Sequence, residues 1–443
     1  MINFKNFINL RNDILFEETH MKTHLSHLED LAIEEGKIGF RNFLVHVDEI
    51  KKKLQGFETN QDINAKIDGS PMILFGMDPR PQHQNQFFVS TKSGLNPNNP
   101  KIAHNTEEIQ QFYGQVPELA KKMLILLKTL QAAYDNSGKI YQGDVLYAGA
   151  DDKKTVKIGE EDFIAFKPNV IVYAVPVDNE SILSTRVRNT DVGVIVHESF
   201  KGISINEDKA IRLESLGRNI ATLLQSSAGS NAFIQSSNYG KIHIDIPDKY
   251  FSDITQLVNV STDKIQKISD KFDAAYLTSP LLDYLKIFLN KQVDLGERGF
   301  FGRISAGEEI AYDKFITEFK EFLTHRFRSE KEKKKTEKGR ASTEERLQQL
   351  LMFIDTNQEN FINLLTATAY MVKIKYILLN IFSTLDSKVG RTFIQQPDGS
   401  YVKTKDEGYV LFVGTNHVKI VDRLDFTKIN REYGGKKRTA ITS

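Results

Sequence analysis

The spacing of apolar residues changes twice along the chain, and that change limits the fold more than any single motif. From about residue 60 to residue 204 the apolar residues fall in short β-type runs broken by turn residues: "AKI", "PMILFG", "QFFVSTKSG", "YQGDVLYAG", "NVIVYAVPV" and "VGVIVHESF". One amphipathic helix interrupts them, "PELAKKMLILLKTLQAAYD". Mixed order without regular βαβ alternation points to an α+β domain of mainly antiparallel sheets. From 205 to 390 the spacing becomes helical, in "DKAIRLESLGRNIATLLQSS", "FSDITQLVNVSTDKIQKISDKFDAAY", "PLLDYLKIFLNKQV", "YDKFITEFKEFLTHRF" and the run from "EERLQQLL" to "NIFSTL". Strand-like sequence then returns in "RTFIQQPDGSYVKTKDEGYVLFVGTNHVKIVDR", where "PDGS" suits a hairpin turn. A β region divided by a helical one reads as an insertion, not a tandem. The expected organisation is a helical segment over 1–56, sheet regions over 57–204 and 391–443, and a helical insertion over 205–390.

The N-terminal segment earns its helical reading from "HLSHLEDLAIEEG" and "GFRNFLVHVDEIKKKLQG", each closed by a glycine. His24 and His27 could share a helix face as a metal-ligand pair, but no third ligand is evident, and half-buried imidazoles beside a helix cap are the plainer reading. At 443 residues the chain can hold two or three domains. It has no cysteine, which excludes disulfides, thiolate metal sites and a cysteine nucleophile, and suits a reducing compartment. A net charge of +1 leaves any attraction to nucleic acid to local patches. No apolar run approaches the roughly 18 residues of a membrane span, and the charged N-terminus is unlike a signal peptide. A cytoplasmic protein without a membrane partner is expected.

"NAKIDGSPMILFG" places Lys66 two residues before an Asp-Gly pair, between two apolar runs. A nucleophilic lysine must lose its proton near neutral pH and stand on a rigid element. Lys66 meets the second condition; as a lone four-residue pattern it is equally well an edge-strand surface lysine.

Further motifs follow in order. "KIDGS", "STKSG", "QGDVLY", "NVIVYAVPV", "DEGYVL" and "HVKIVD" resemble the motifs of the covalent nucleotidyltransferase superfamily, which comprises ATP-dependent polynucleotide ligases and mRNA capping enzymes. The set looks most like phage-type RNA ligases, and the N-terminal "THLSHLEDLAIEEG" is similar to a ligase-like group of tailed phages. The resemblance covers residues 57–204 and 391–435 and offers nothing for the helical block.

It implies a ligase adenylylation domain in which Lys66 attacks the α-phosphorus of ATP, giving a lysyl–AMP that passes to a 5′-phosphate before a 3′-OH seals the strand. Asp68 and Gly69 would complete the turn, the glycine letting backbone approach the nucleotide. Lys92 would touch ribose or the incoming phosphate. Asp144 stands where the family usually has Glu, and Glu407 supplies the second acid; together they would hold Mg²⁺ (or Mn²⁺). Asp406 competes with Glu407 but alternation faces it away. Lys419 would neutralise the α-phosphate. Tyr173, on the strand that resembles the family's adenine platform, reads as core. The family's second lysine in its last motif falls on Val421, and Arg423, two residues on, is the candidate substitute.

Only about twenty residues follow "HVKIVD", so no OB-fold is expected, which favours the RNA ligases. The expected substrate is a nucleic acid with 5′-phosphate and 3′-OH ends, RNA favoured over DNA, in host cytoplasm if phage-encoded. Alternatives are nucleotidyl transfer to another acceptor (protein AMPylation or RNA capping) and a degenerate, non-catalytic nucleic-acid-binding module. The helical insertion is left for substrate clamping or a protein partner. Its segment "RFRSEKEKKKTEKGR", residues 326–340, carries eight basic and three acidic side chains. That run is either a solvated helix end or a surface that tracks phosphates, and the tail "KINREYGGKKR" poses the same choice.

Overall fold

A computed structural model describes residues 26–236, 281–384 and 391–433, apart from 55, 56, 58–60, 405, 406, 414 and 415. His24, Asp406, "FSDITQLVNVSTDKIQKISDKFDAAY" and the end of the basic tail lie outside these residues. The fold is α+β, with helices and antiparallel sheets, and divides into two compact units. One comprises Met1–Asp62, His243–Leu385 and Gly408–Arg431; the other comprises Ile63–Ile242, Asp386–Glu407 and Glu432–Ser443.

The strands in chain order are β1 (Ser26–His27), β2 (Gln61–Ala65), β3 (Met72–Met77), β4 (Phe87–Thr91), β5 (Ile140–Ala148), β6 (Lys153–Ile158), β7 (Glu161–Phe166), β8 (Val172–Pro176), β9 (Val192–Ile205), β10 (Ala210–Ser215), β11 (Ala232–Ser236), β12 (Arg391–Gln395), β13 (Tyr401–Lys403), β14 (Tyr409–Val413) and β15 (Asn416–Ile420). Strand β2 carries the chain from the first unit into the second.

The second unit is built on two sheets. The larger runs β10-β9-β5-β3-β4 with antiparallel neighbours, and β11 lies parallel to the start of β9. Helix Pro117–Ala133 buries Ala120, Met123, Leu126, Leu127 and Leu130 in one core with Ile73, Phe75, Val145 and Val194 of the sheet. Each such large side chain withdrawn from water contributes roughly 1.5–3 kcal/mol, enough to fix which face of the sheet is covered. The smaller sheet runs β13-β12-β8-β7-β6, antiparallel throughout, around Phe163, Ala165, Val172, Ala174 and Phe393. Its β12–β13 hairpin turns at "PDGS", with Gly399 at φ +86° and the Ser400 carbonyl accepting from the Gln396 N–H at 2.8 Å.

The stretch expected to turn helical at 205 begins instead with strand. Asn206, Glu207 and Asp208 all take positive φ (52°, 54° and 67°), turning β9 directly into β10. Ile211 and Leu213, two apart, face the core from β10 while Arg212 between them is exposed. That period of two was masked in the sequence by neighbouring leucines at helical spacing. Between 205 and 236 only Ala221–Ser227 is helix, and β11 follows it.

The first unit holds helices Leu31–Glu35, Lys37–Leu54, Leu281–Asp294, Phe300–Ser305, Tyr312–Lys333, Glu337–Thr356 and Gln358–Thr384. Gly36, at φ +60°, closes the first of these. Strand β15 pairs antiparallel with β14 and parallel with β1, so the last motif belongs to this unit and not to the sheets that carry β12 and β13. Phe288, Phe300, Phe315 and Phe319 meet at ring separations between 5.0 and 5.4 Å. Contrary to the sequence reading, Gln358–Phe382 is long and apolar enough by composition to cross a membrane. Its polar residues break the contiguous run, yet the mean hydropathy of the helix stays at 1.3. It packs as a core helix: Phe361, Leu364, Leu365 and Phe382 are buried, and the buried Lys375 ammonium lies 2.7 Å from Glu29.

Candidate active site

The "KIDGS" segment leaves β2 at Ala65 and is fastened to both sheets of the second unit. The Asp68 N–H donates to the Tyr173 hydroxyl of β8 at 2.9 Å, and Asn169 Nδ2 donates to the Asp68 carbonyl at 3.4 Å. On the other side the Ser70 N–H donates to the Val145 carbonyl of β5 at 2.8 Å, and the Val145 N–H returns to the Pro71 carbonyl at 3.1 Å. A Cβ at Gly69 would stand 2.3 Å from the Val145 carbonyl oxygen, so the crossing over β5 itself requires a glycine here. Tyr173 is core, as read: it is 7% exposed, its ring stacks on Phe166, and its hydroxyl anchors the loop.

Lys66 Nζ is in ion-pair contact with Asp68 and lies 3.3 Å from Glu407 Oε2, a residue 341 positions away. The lysine side chain is 12% exposed and that of Glu407 is fully buried. Burial works to discharge the Lys66 ammonium, but the Asp68 and Glu407 carboxylates outweigh it and hold its pKa above the ordinary lysine value. Burial pushes the Glu407 carboxyl up to about 8, against the pull of Lys66 and with the push of Asp68. Asp68 stays below the usual range because Lys66 overcomes its desolvation. Among the described residues Glu407 Oε1 is buried without a hydrogen-bond partner. Such an orphaned oxygen costs about 1–3 kcal/mol and fits uptake of a hard cation such as Mg²⁺ or Mn²⁺.

Asp144, on β5, is held by a residue that the sequence reading did not single out. His197 Nε2 lies 3.1 Å from Asp144 Oδ2. Gln142 pairs with Glu198 and Gly143 with Val196, so His197 is the extra residue of a β-bulge in β9. Bulges re-aim one side chain out of the alternating pattern. Burial lowers the His197 pKa, but Asp144 and Asp68 more than offset it and the net direction is upward. The available signal was slight: one histidine interrupting the apolar strand "VGVIVHESF". Asp144 thus shares one oxygen with an imidazole, leaving Glu407 as the better-placed carboxylate for a cation.

Lys92 is exposed, directly after Thr91, whose partner Ile73 puts it at the end of β3 where Met72 pairs with Asp144. Lys419 sits on β15 in the first unit, opposite Val410 and beside His27. Arg423 does not replace the lysine missing at Val421. Its guanidinium is buried against Asp30 and, at 3.2 Å, Glu29, and Val421 is itself a core residue at 5% exposure. A buried apolar position cannot carry the family's lysine, and a buried, paired arginine cannot reach a phosphate.

A second polar cluster lies at the opposite end of β3, about 17 Å away by strand rise. Asp78, His83 and His104 present ligand atoms within 4.8 Å of one another. Arg80 donates to both Asp78 oxygens, through Nε at 3.0 and 3.1 Å and Nη2 at 2.6 Å. His104 lies between Asp78 and Glu108, each 2.8 Å from a ring nitrogen. Arg80 and His104 already occupy both Asp78 oxygens, so that carboxylate is engaged by side chains of its own cluster. The cluster is a clamp joining the loop after β3 to helix Thr106–Tyr113.

The chain belongs to a family of unknown function (DUF6267), whose model matches residues 22–433. No curated protein and no solved structure matches it.

Proposed function

We propose that this chain is an ATP-dependent polynucleotide ligase, acting on RNA ends through Lys66. The observation that carries the reading is Lys66 Nζ held between Asp68 and Glu407 on a loop fastened to two antiparallel sheets. Lys66 Nζ bonds to the α-phosphorus of ATP as the α–β phosphoanhydride bond breaks, and pyrophosphate leaves. The proton that Lys66 must lose has a near acceptor in Asp68. AMP then passes to a 5′-phosphate, freeing Lys66, and a 3′-OH displaces AMP as the new phosphodiester forms. Covalent catalysis divides one hard condensation into easier transfers. Glu407 and Asp144 would hold a divalent cation, whose charge would offset the phosphates. Because the same carboxylates hold Lys66 protonated, drawing either away lowers the lysine's pKa and readies it for attack.

The ion pairing also favours a second reading, a non-catalytic nucleic-acid-binding relative in which Lys66 is a structural cation. Incubation with ATP labelled at the α-phosphate, followed by a denaturing gel, separates the two. The ligase reading predicts a labelled wild-type band and no band for Lys66→Ala. An unlabelled wild type sinks the enzyme reading, and a labelled Lys66→Ala sinks the choice of nucleophile. Nicked RNA, nicked DNA and single strands then distinguish ligation from transfer to a protein or a cap-like end.

A further inference from the structure

Helices Tyr312–Lys333 and Glu337–Thr356 form a hairpin whose two ends differ in chemistry. Its base is core: Phe315, Phe319, Leu323 and Phe327 are buried on one helix, and Leu347, Leu350 and Ile354 on the other. From 328 to 342 no residue is buried. Lys333 is six residues beyond Phe327, so at 1.5 Å per residue the tip extends roughly 9 Å past the last buried ring.

Residues 326–340 have a net excess of five positive charges, while the whole chain has an excess of one. Some of these cations are already engaged. Arg326 lies over the Tyr284 ring at 5.5 Å, Lys331 pairs with Glu344 at 3.0 Å, and Lys334 reaches Glu330 at 3.5 Å. Lys333, Lys335 and Lys338 are exposed and have no ion-pair partner among the described residues. Glu330, Glu332 and Glu337 interleave with these lysines but are outnumbered eight to three by basic residues, which raises the local potential at the projecting end.

We infer that this helical-hairpin tip is a binding surface for the phosphodiester backbone of a nucleic acid, with Lys333, Lys335 and Lys338 as its principal phosphate contacts. Flexible ammonium groups suit sequence-independent contact, because phosphates carry no base information. The inference is independent of whether Lys66 forms an adduct, since it concerns binding and not transfer.

The test uses the full chain and a fluorescein-labelled single-stranded RNA, with anisotropy measured across a salt series. Each phosphate contact contributes about 0.7 to the slope of log affinity against log salt for a single strand. The triple variant Lys333→Ala/Lys335→Ala/Lys338→Ala should therefore lose about 2 from that slope, with an unchanged melting temperature because none of the three packs in the core. An unchanged slope in the triple variant, or no RNA binding by wild type, overturns the assignment. So does capture of wild type by phosphatidylserine vesicles at salt concentrations where RNA is not held.

Discussion

Replacing Arg423 with alanine is expected to damage the stability of the first unit rather than any phosphate chemistry. Arg423 is 6% exposed. It touches Asp30, lies 3.2 Å from Glu29 and 3.4 Å from Asn290 Oδ1, and covers the Phe301 ring at 5.0 Å. Glu29 retains Lys375 at 2.7 Å, but Asp30 loses the partner that offsets its burial. Removing one member of a buried pair costs about 3–5 kcal/mol, and the lost cation–π contact adds about 0.5–2 kcal/mol. The sum, about 4 kcal/mol or more, is a large share of a typical stability of about 5–15 kcal/mol. Asp30 already has a raised pKa, from burial first and Glu29 next, with Arg423 pulling the other way. Without Arg423 it rises further, and a carboxyl whose folded pKa exceeds its unfolded one loses stability as pH climbs through that interval. The deficit of Arg423→Ala should therefore be larger at about pH 8 than at about pH 5. Urea denaturation at both values, with hydrogen exchange of Gln358–Thr384 as a local probe, measures it. A cost below about 1 kcal/mol, the size of an exposed pair, or an equal cost at both pH values, would refute the buried-charge reasoning.

Glu407→Gln should flatten the pH dependence of stability between about 4.5 and 8: the raised carboxyl gives stability below that window and loses it above, so the variant gains relative to wild type in alkaline urea melts. Gly69→Ala should cost about 1–3 kcal/mol, because a Cβ 2.3 Å from the Val145 carbonyl forces the loop off β5, and thermal melts should show the loss. His104→Ala should destabilise by about 1–3 kcal/mol, since Asp78 and Glu108 both lose their ring-nitrogen partner; added Zn²⁺ should leave the wild-type melting temperature unchanged, and a rise would make the cluster a metal site.

What could be read from the sequence followed physical rules of unequal strength. Strongly patterned strands such as "PMILFG" and "NVIVYAVPV", the "PDGS" hairpin and the glycine-closed first helix were legible because pattern and turn chemistry agree locally. Strand β10 was not, because Ile211 and Leu213 sit among leucines that also fit a helical period. The contact between Lys66 and Glu407 spans 341 positions, so no local pattern encodes it; only the ordered motifs placed both residues in one group. His197 escaped notice because its position depends on a bulge in β9, which alternation alone does not reveal. Arg423 was misread for a related reason. Its spacing from Val421 made it the candidate substitute for the missing lysine, whereas it opens a helix and turns into the pocket of Glu29 and Asp30.

Peptide mapping of the full chain after incubation with ATP and Mg²⁺ tests the central claim most directly. The account predicts one adenylyl adduct, on the peptide containing Lys66, that disappears when RNA bearing 5′-phosphate and 3′-OH ends is added. An adduct on another residue, or an unmodified chain under conditions where it is folded, would contradict it.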